Sequence, residues 1–180
     1  MLLTLQVFSP HIQAENKKET LFSPAVFNQV QDVLCKENQE SADDPCSYQY
    51  KDFFIDTIDL NGDKKPEYLF YGPSSECGVH GNCPLLILQK NAEKWRVLYS
   101  GWGSTTYRTK PLNKLHQGYQ DLEVSSDLGA FYWVKDIWFW NGVKYELQPN
   151  STTYYIYDDE SEKLVPVSKK QWDDRYNYKN

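Results

Sequence analysis

Histidine is scarce in this chain, with three in 180 residues, and His11 falls in a segment that reads as a leader. His80 and His116 remain as imidazoles for general acid–base work, and His80 sits in a loop with no neighbouring nucleophile. Ser104, in Gly101-Trp102-Gly103-Ser104, lacks the flanking glycines of a nucleophile elbow. No catalytic residue is therefore assigned, and an enzyme is not the expected class. Long apolar runs are missing as well: no segment approaches the roughly 20 residues of a membrane span, so membrane insertion is not expected. Basic clusters are also absent. The net charge is −6 with a pI near 5.1, and Lys17, Lys18 and the Lys169-Lys170 pair are too short and isolated for a membrane patch. Nucleic acid, which needs a clustered basic face, is excluded on the same ground. The chain has no internal repeat.

What is present is apolar and aromatic mass. The chain is 40% hydrophobic and 16% aromatic, enough for one packed domain. Leu21 to Leu34 carries a helical pattern: Ser23 suits a cap, Pro24 the first helical position, and Val26, Phe27, Val30, Val33 and Leu34 share one face. From Tyr50 onward the texture is β. Short aromatic and β-branched runs at Phe53–Ile58, Glu67–Tyr71, Leu85–Gln89, Trp95–Tyr99, Leu122–Val124, Phe131–Val134, Ile137–Trp140, Val143–Leu147, Tyr154–Tyr157 and Leu164–Val167 alternate with turn residues. Asn141-Gly142 is the strongest hairpin signal, because both residues tolerate positive φ. The expected fold is mainly β (α+β): an antiparallel sheet or partly open barrel of short strands with one N-terminal amphipathic helix. Residues 21–168 read as the single globular domain and 169–180 as a polar aromatic tail.

Residues 1–14 are apolar, then turn-forming, then end in Ala14 before charged Glu15. They read as a secretory signal with cleavage after Ala14, or else as an ordinary N-terminal strand; residues 15–20 form a polar linker. Four cysteines allow three pairings. Proximity favours Cys35 with Cys46 and Cys77 with Cys83. The zinc alternative, thiolates with His80, lacks the paired short spacings of a finger or ribbon. Disulfides imply oxidising surroundings, so a secreted or periplasmic location is expected.

Between Asp59 and Glu67, Asp59, Asn61, Asp63 and Glu67 stand at loop positions one, three, five and nine. With the Lys65 backbone carbonyl this is a spacing for Ca2+, a hard cation that takes several oxygens at about 2.3–2.6 Å. An Asn-Gly-Asp turn held by side chain to backbone hydrogen bonds is the alternative. One such loop cannot build a multi-bladed propeller. The order of four motifs adds a resemblance: Asp59-Leu60-Asn61-Gly62-Asp63 with Glu67, Cys77-Gly78-Val79-His80-Gly81-Asn82-Cys83, Gly118-Tyr119-Gln120-Asp121-Leu122, and Trp140-Asn141-Gly142-Val143-Lys144-Tyr145. Across roughly residues 52–147 the chain resembles a broad group of small exported proteobacterial proteins with one FG-GAP-like calcium loop followed by a Cys-Gly-x-x-Gly-Cys segment. Most members have no assigned activity, so the resemblance implies export and fold more than function. The sequence departs from the pattern at Lys64, where glycine is usual, and at Val79-His80.

Asp121 and Glu123 alternate onto one strand face, as a carboxylate pair for glycoside hydrolysis or as a solvated sheet face. The aromatic stretch Phe131 to Trp140 offers Tyr132, Trp138 and Trp140 as a binding surface if one face is open, and as core if helix and loops cover both. The functional expectation is an exported, disulfide-stabilised, calcium-binding protein-recognition domain of inhibitor, immunity or secreted-effector type, with a protein partner. A carbohydrate-binding module that takes a saccharide is the second reading, and an extracellular hydrolase the third.

Overall fold

The computed structural model describes residues 24–38, 48–92, 94–129 and 131–179. Helix α1, Pro24–Asn38, runs four residues beyond its expected end. Its buried stripe is Phe27, Val30 and Leu34, at the spacing that keeps side chains on one face of a 3.6-residue period. That stripe packs on Phe53, Phe70, Leu86 and Leu88. The expected cap Ser23 and the leader lie outside the described residues.

The helix covers one face of a four-stranded antiparallel sheet whose strands follow chain order: β1 Phe54–Ile58, β2 Glu67–Tyr71, β3 Asn82–Asn91 and β4 Lys94–Ser104. The unbroken run Pro84-Leu85-Leu86-Ile87-Leu88 in β3 is buried along its length because both faces of this strand are covered. Leu86 and Leu88 meet α1, whereas Leu85 and Ile87 face the second sheet. In the β3–β4 ladder Ile87 pairs with Tyr99 and Leu88 with Val97, so Leu98 is an extra residue. This bulge lets two consecutive side chains, Leu98 and Tyr99, enter the same core.

The second sheet contains β5 Lys110–His116, β6 Tyr119–Gly129, β7 Tyr132–Trp140, β8 Tyr145–Leu147, β9 Thr153–Asp158 and β10 Lys163–Val167. Its order is β10-β9-β7-β6-β5, with β8 paired to the C-terminal half of β7; one of the two sheets curls into a half-barrel. The fold is therefore mainly β with antiparallel sheets and an N-terminal helix, as expected. Leu122, Val124, Trp138, Trp140 and Tyr145 meet the first sheet and close the main core.

Three elements differ from expectation. β5 is polar and contains Pro111, so its composition hid it; the Gln117-Gly118 turn, with φ of 47° and 85°, closes it onto β6. The runs Phe131–Val134 and Ile137–Trp140 form one strand. Lys135 bridges them by pairing with Glu123 at 3.3 Å, and Asp136 by accepting from Thr152 at 2.6 Å. The supposed tail is helix α2, Lys169–Lys179. Ser168 Oγ accepts from the Gln171 amide while Gln171 Oε1 accepts from the Ser168 amide, a reciprocal cap. Trp172 then docks on Tyr132, Ile156 and Tyr154.

No helix among the described residues is long and apolar enough to cross a membrane.

Candidate functional site

The 59–67 loop joins β1 to β2 and closes largely on its own amides. Asp59 accepts from Gly62 and Lys64 at 2.8 and 3.0 Å, Asn61 from Asp63 at 3.0 Å, and Asp63 from Lys65 at 2.7 Å. Lys64 has φ 65°, the left-handed conformation that glycine adopts without strain. Glu67 behaves differently from the three loop residues. It is 1% exposed, and its carboxylate accepts from the Leu60 amide at 2.7 Å and from Gln89 Nε2 at 2.9 Å. Burial pushes its pKa up; the two donors oppose the shift, and Asp63 and Asp59 add to it. Gln89 also donates to the Tyr119 hydroxyl at 2.8 Å, and the Leu60 carbonyl accepts from the Gln120 amide at 2.8 Å. The loop is thus fastened to both sheets. Among the described residues no three His, Cys, Asp or Glu side chains gather around a common centre.

Cys77 and Cys83 form a disulfide. Cys35, at the buried end of α1, is not a free thiol; its expected partner Cys46 lies outside the described residues. Inside the Cys77–Cys83 ring the Gly81 amide donates to the Gly78 carbonyl at 2.9 Å and the Gly78 amide to Asn82 at 2.7 Å. The tip is Val79, which is 97% exposed.

Two further loops brace this one. Thr105, just after β4, donates to the Gly81 carbonyl through both its amide and its hydroxyl, at 3.0 and 3.1 Å. Asn82 and Asp127 are joined reciprocally: the Asn82 side chain donates to the Asp127 carbonyl and accepts from the Asp127 amide at 2.8 Å. His80 Nε2 lies 4.0 Å from where a Cβ on Gly129 would sit, so the β6–β7 turn flanks the ring. Ser104 Oγ accepts from the Thr106 and Tyr107 amides and fixes the middle loop, and Tyr107 stands edge-on to Trp133. Val79 and Tyr107 on two of these loops, Leu128 at the end of β6 and Phe131 in the β6–β7 turn are exposed apolar side chains. The sequence signalled the ring through its cysteine spacing and Val79-His80; nothing local pointed to Thr105 or Asp127 as its supports.

The other sequence-derived sites are placed as follows. Tyr132 and Trp140 are buried and Trp138 is half-buried, all on the inward side of β7. Trp140 stacks on Tyr119 at 4.5 Å, Trp138 meets Tyr99 edge-on at 4.9 Å, and Tyr132 packs on Trp172. The aromatic surface expected from them is core, because the first sheet covers one half of β7 and α2 the other. Asp121 is fully buried, with His116 Nδ1 at 2.5 Å and Lys114 Nζ at 3.7 Å, while Glu123 pairs with Lys135. Both carboxylates of the supposed hydrolytic pair are held by cations. The Tyr145 hydroxyl donates to the Gln120 carbonyl at 2.7 Å. Burial, with Glu67, Tyr119 and Asp121 nearby, raises its pKa and keeps it a donor.

No family model, curated protein or solved structure matches this chain.

Proposed function

We propose that this protein is an exported recognition domain that engages a protein partner through the Cys77–Cys83 loop and the two loops interlocked with it. The observation that carries this reading is Val79: a β-branched side chain almost wholly in water, at the tip of a ring that is closed covalently and tied to β4 and β6. A loop already held in one conformation loses little entropy on binding, so contact made by its tip is retained as affinity. Export is supported by the disulfide, by the leader-like start and by the resemblance, and inhibitor, immunity or secreted effector are the roles that a protein-recognition domain in that location would serve. The saccharide reading has less behind it, since it drew on the aromatic side chains that face inward.

For calcium, the loop supplies Asp59, Asn61, Asp63 and the Lys65 carbonyl as the residues that would hold the ion. Glu67 would serve as the inner wall, its oxygens already engaged by Leu60 and Gln89. The ion would neutralise the loop carboxylates and stiffen the connection between β1 and β2.

The test is partner capture from extracellular or periplasmic extract by the immobilised mature chain, compared with Val79→Asp and with Leu115→Asp, a control at an exposed leucine on β5. The species held by the wild type should be lost with the first variant and kept with the second, with unchanged far-UV spectra. An identical capture profile for all three sinks the proposal.

A further inference from the structure

Helix α2 is a polar element laid over an apolar face. Of its described side chains, 169–175, only Trp172 is buried, and the others are charged or amide groups. Its ion pairs, Lys169 with Asp173 at 2.6 Å and Lys170 with Asp174 at 4.0 Å, join residues one turn apart within the helix. They support the helical conformation and fasten it to no strand.

Among the described side chains, the contacts that do reach the strands are few. The Trp172 ring lies 5.8 Å from that of Tyr132 and 5.4 Å from that of Tyr154. The Tyr132 hydroxyl donates to the Arg175 carbonyl at 2.8 Å, and Lys169 Nζ stands 5.8 Å from the centre of the Tyr154 ring. Beside Trp172 the helix stands off from β9 and β10, leaving a cavity of about 410 Å³ lined by Ile156, Val167, Gln171, Asp174 and Arg175. Trp172, Tyr132 and Ile156 form a cluster of their own, which shares no residue with the main core between the two sheets.

Two consequences follow from that arrangement. A helix of 11 residues is too short to persist by itself in water, so α2 is helical because it is docked. Undocking takes nothing from the main core, so the sheets do not need α2 in order to stay paired.

We propose that α2 is a releasable strap: it undocks and unfolds as one unit while both sheets remain folded, and so bares the face formed by Tyr132, Tyr154 and Ile156. That face is closed in the docked state and accessible in the released one, which makes α2 an autoinhibitory cover over it. The device is separate from the Cys77–Cys83 loop and stands whether or not that loop binds a protein.

The test is NMR-detected amide exchange of the full chain under native conditions. The amides of Asp173, Asp174 and Arg175 should share one opening constant, larger than that of Leu85 in β3 by on the order of 100-fold or more. Tyr132→Phe, which removes the hydroxyl held by the Arg175 carbonyl, should raise the α2 constant about fivefold. Ile87→Val, a small cut in the main core, should raise the Leu85 constant and leave that of α2 unmoved, because the released state keeps the core intact. Trp172→Ala should abolish protection in α2 and preserve it in β3. Exchange of α2 with the same constant as Leu85 overturns the proposal, since the helix would then leave only when the whole chain unfolds. Graded constants along α2 that Tyr132→Phe does not move also overturn it, because they describe fraying in place. So does an α2 constant that rises with Ile87→Val, or loss of β3 protection in Trp172→Ala.

Discussion

Replacing Glu67 by alanine takes the acceptor from the buried Leu60 amide and from the half-buried Gln89 Nε2, which keeps its bond to the Tyr119 hydroxyl. A buried donor left without a partner costs about 1–3 kcal/mol, and the missing side chain leaves a void beside Leu60, which is fully buried. Removing a carboxylate that burial disfavours offsets part of that loss. Glu67→Ala is therefore expected to lose about 2–5 kcal/mol. Glu67→Gln should stay within about 1 kcal/mol of wild type at neutral pH, since Gln89 can turn its amide to accept from the new side chain and from the Tyr119 hydroxyl. The pH dependence has a definite sign. A carboxyl whose pKa is higher folded than unfolded binds its proton more tightly in the folded state, so its contribution to stability is present at low pH and is lost as pH rises. The loss runs from the ordinary value of 4.5 up through the raised one. The stability of Glu67→Gln relative to wild type should accordingly be greatest at neutral pH and shrink as pH falls through that window. Urea denaturation of the three proteins at pH 7 and pH 4.5, analysed with a common m value, measures both effects. Should the alanine variant cost under about 1 kcal/mol, or the glutamine variant be as damaging as alanine, the buried hydrogen-bond account of Glu67 is refuted.

Two further outcomes follow from the same structure. If the loop takes calcium, the melting temperature should rise with millimolar calcium and fall with chelator, Asp63→Ala should abolish the response and Glu67→Gln should retain it; an unchanged wild-type melt leaves only the hydrogen-bonded turn. Trp140→Ala, which empties a buried site against Tyr119 and Tyr145, should cost about 3–5 kcal/mol by denaturation, and a loss near zero would return that residue to the surface.

Local chemistry made much of this protein legible in its sequence. Alternation marked most strands, the Phe27–Val30–Leu34 stripe marked α1, and Asn141-Gly142 marked the β7–β8 turn, where Asn141 accepts from the Val143 and Lys144 amides. The Cys77–Cys83 spacing led to the disulfide because a six-residue separation can close on itself. The cap of α2 is equally local, Ser168 and Gln171 standing at the spacing of a capping box, yet the polar composition of 169–180 read as a tail. Other features needed the third dimension. A period of two assigns the residues of β7 to two faces but cannot say what covers either, and only the packing of the first sheet and α2 turned Tyr132, Trp138 and Trp140 inward. Glu67 reads as a loop ligand by spacing, yet its position beside Gln89 and Leu60 makes it a buried acceptor. Asp121 reads as one of a carboxylate pair, and the β5–β6 hairpin gives it His116 and Lys114 instead. The brace on the Cys77–Cys83 ring joins residues 24 and 45 positions apart in the chain. Short-range pattern fixes which backbone conformations are cheap, whereas burial and hydrogen bonding across such separations depend on which surfaces meet.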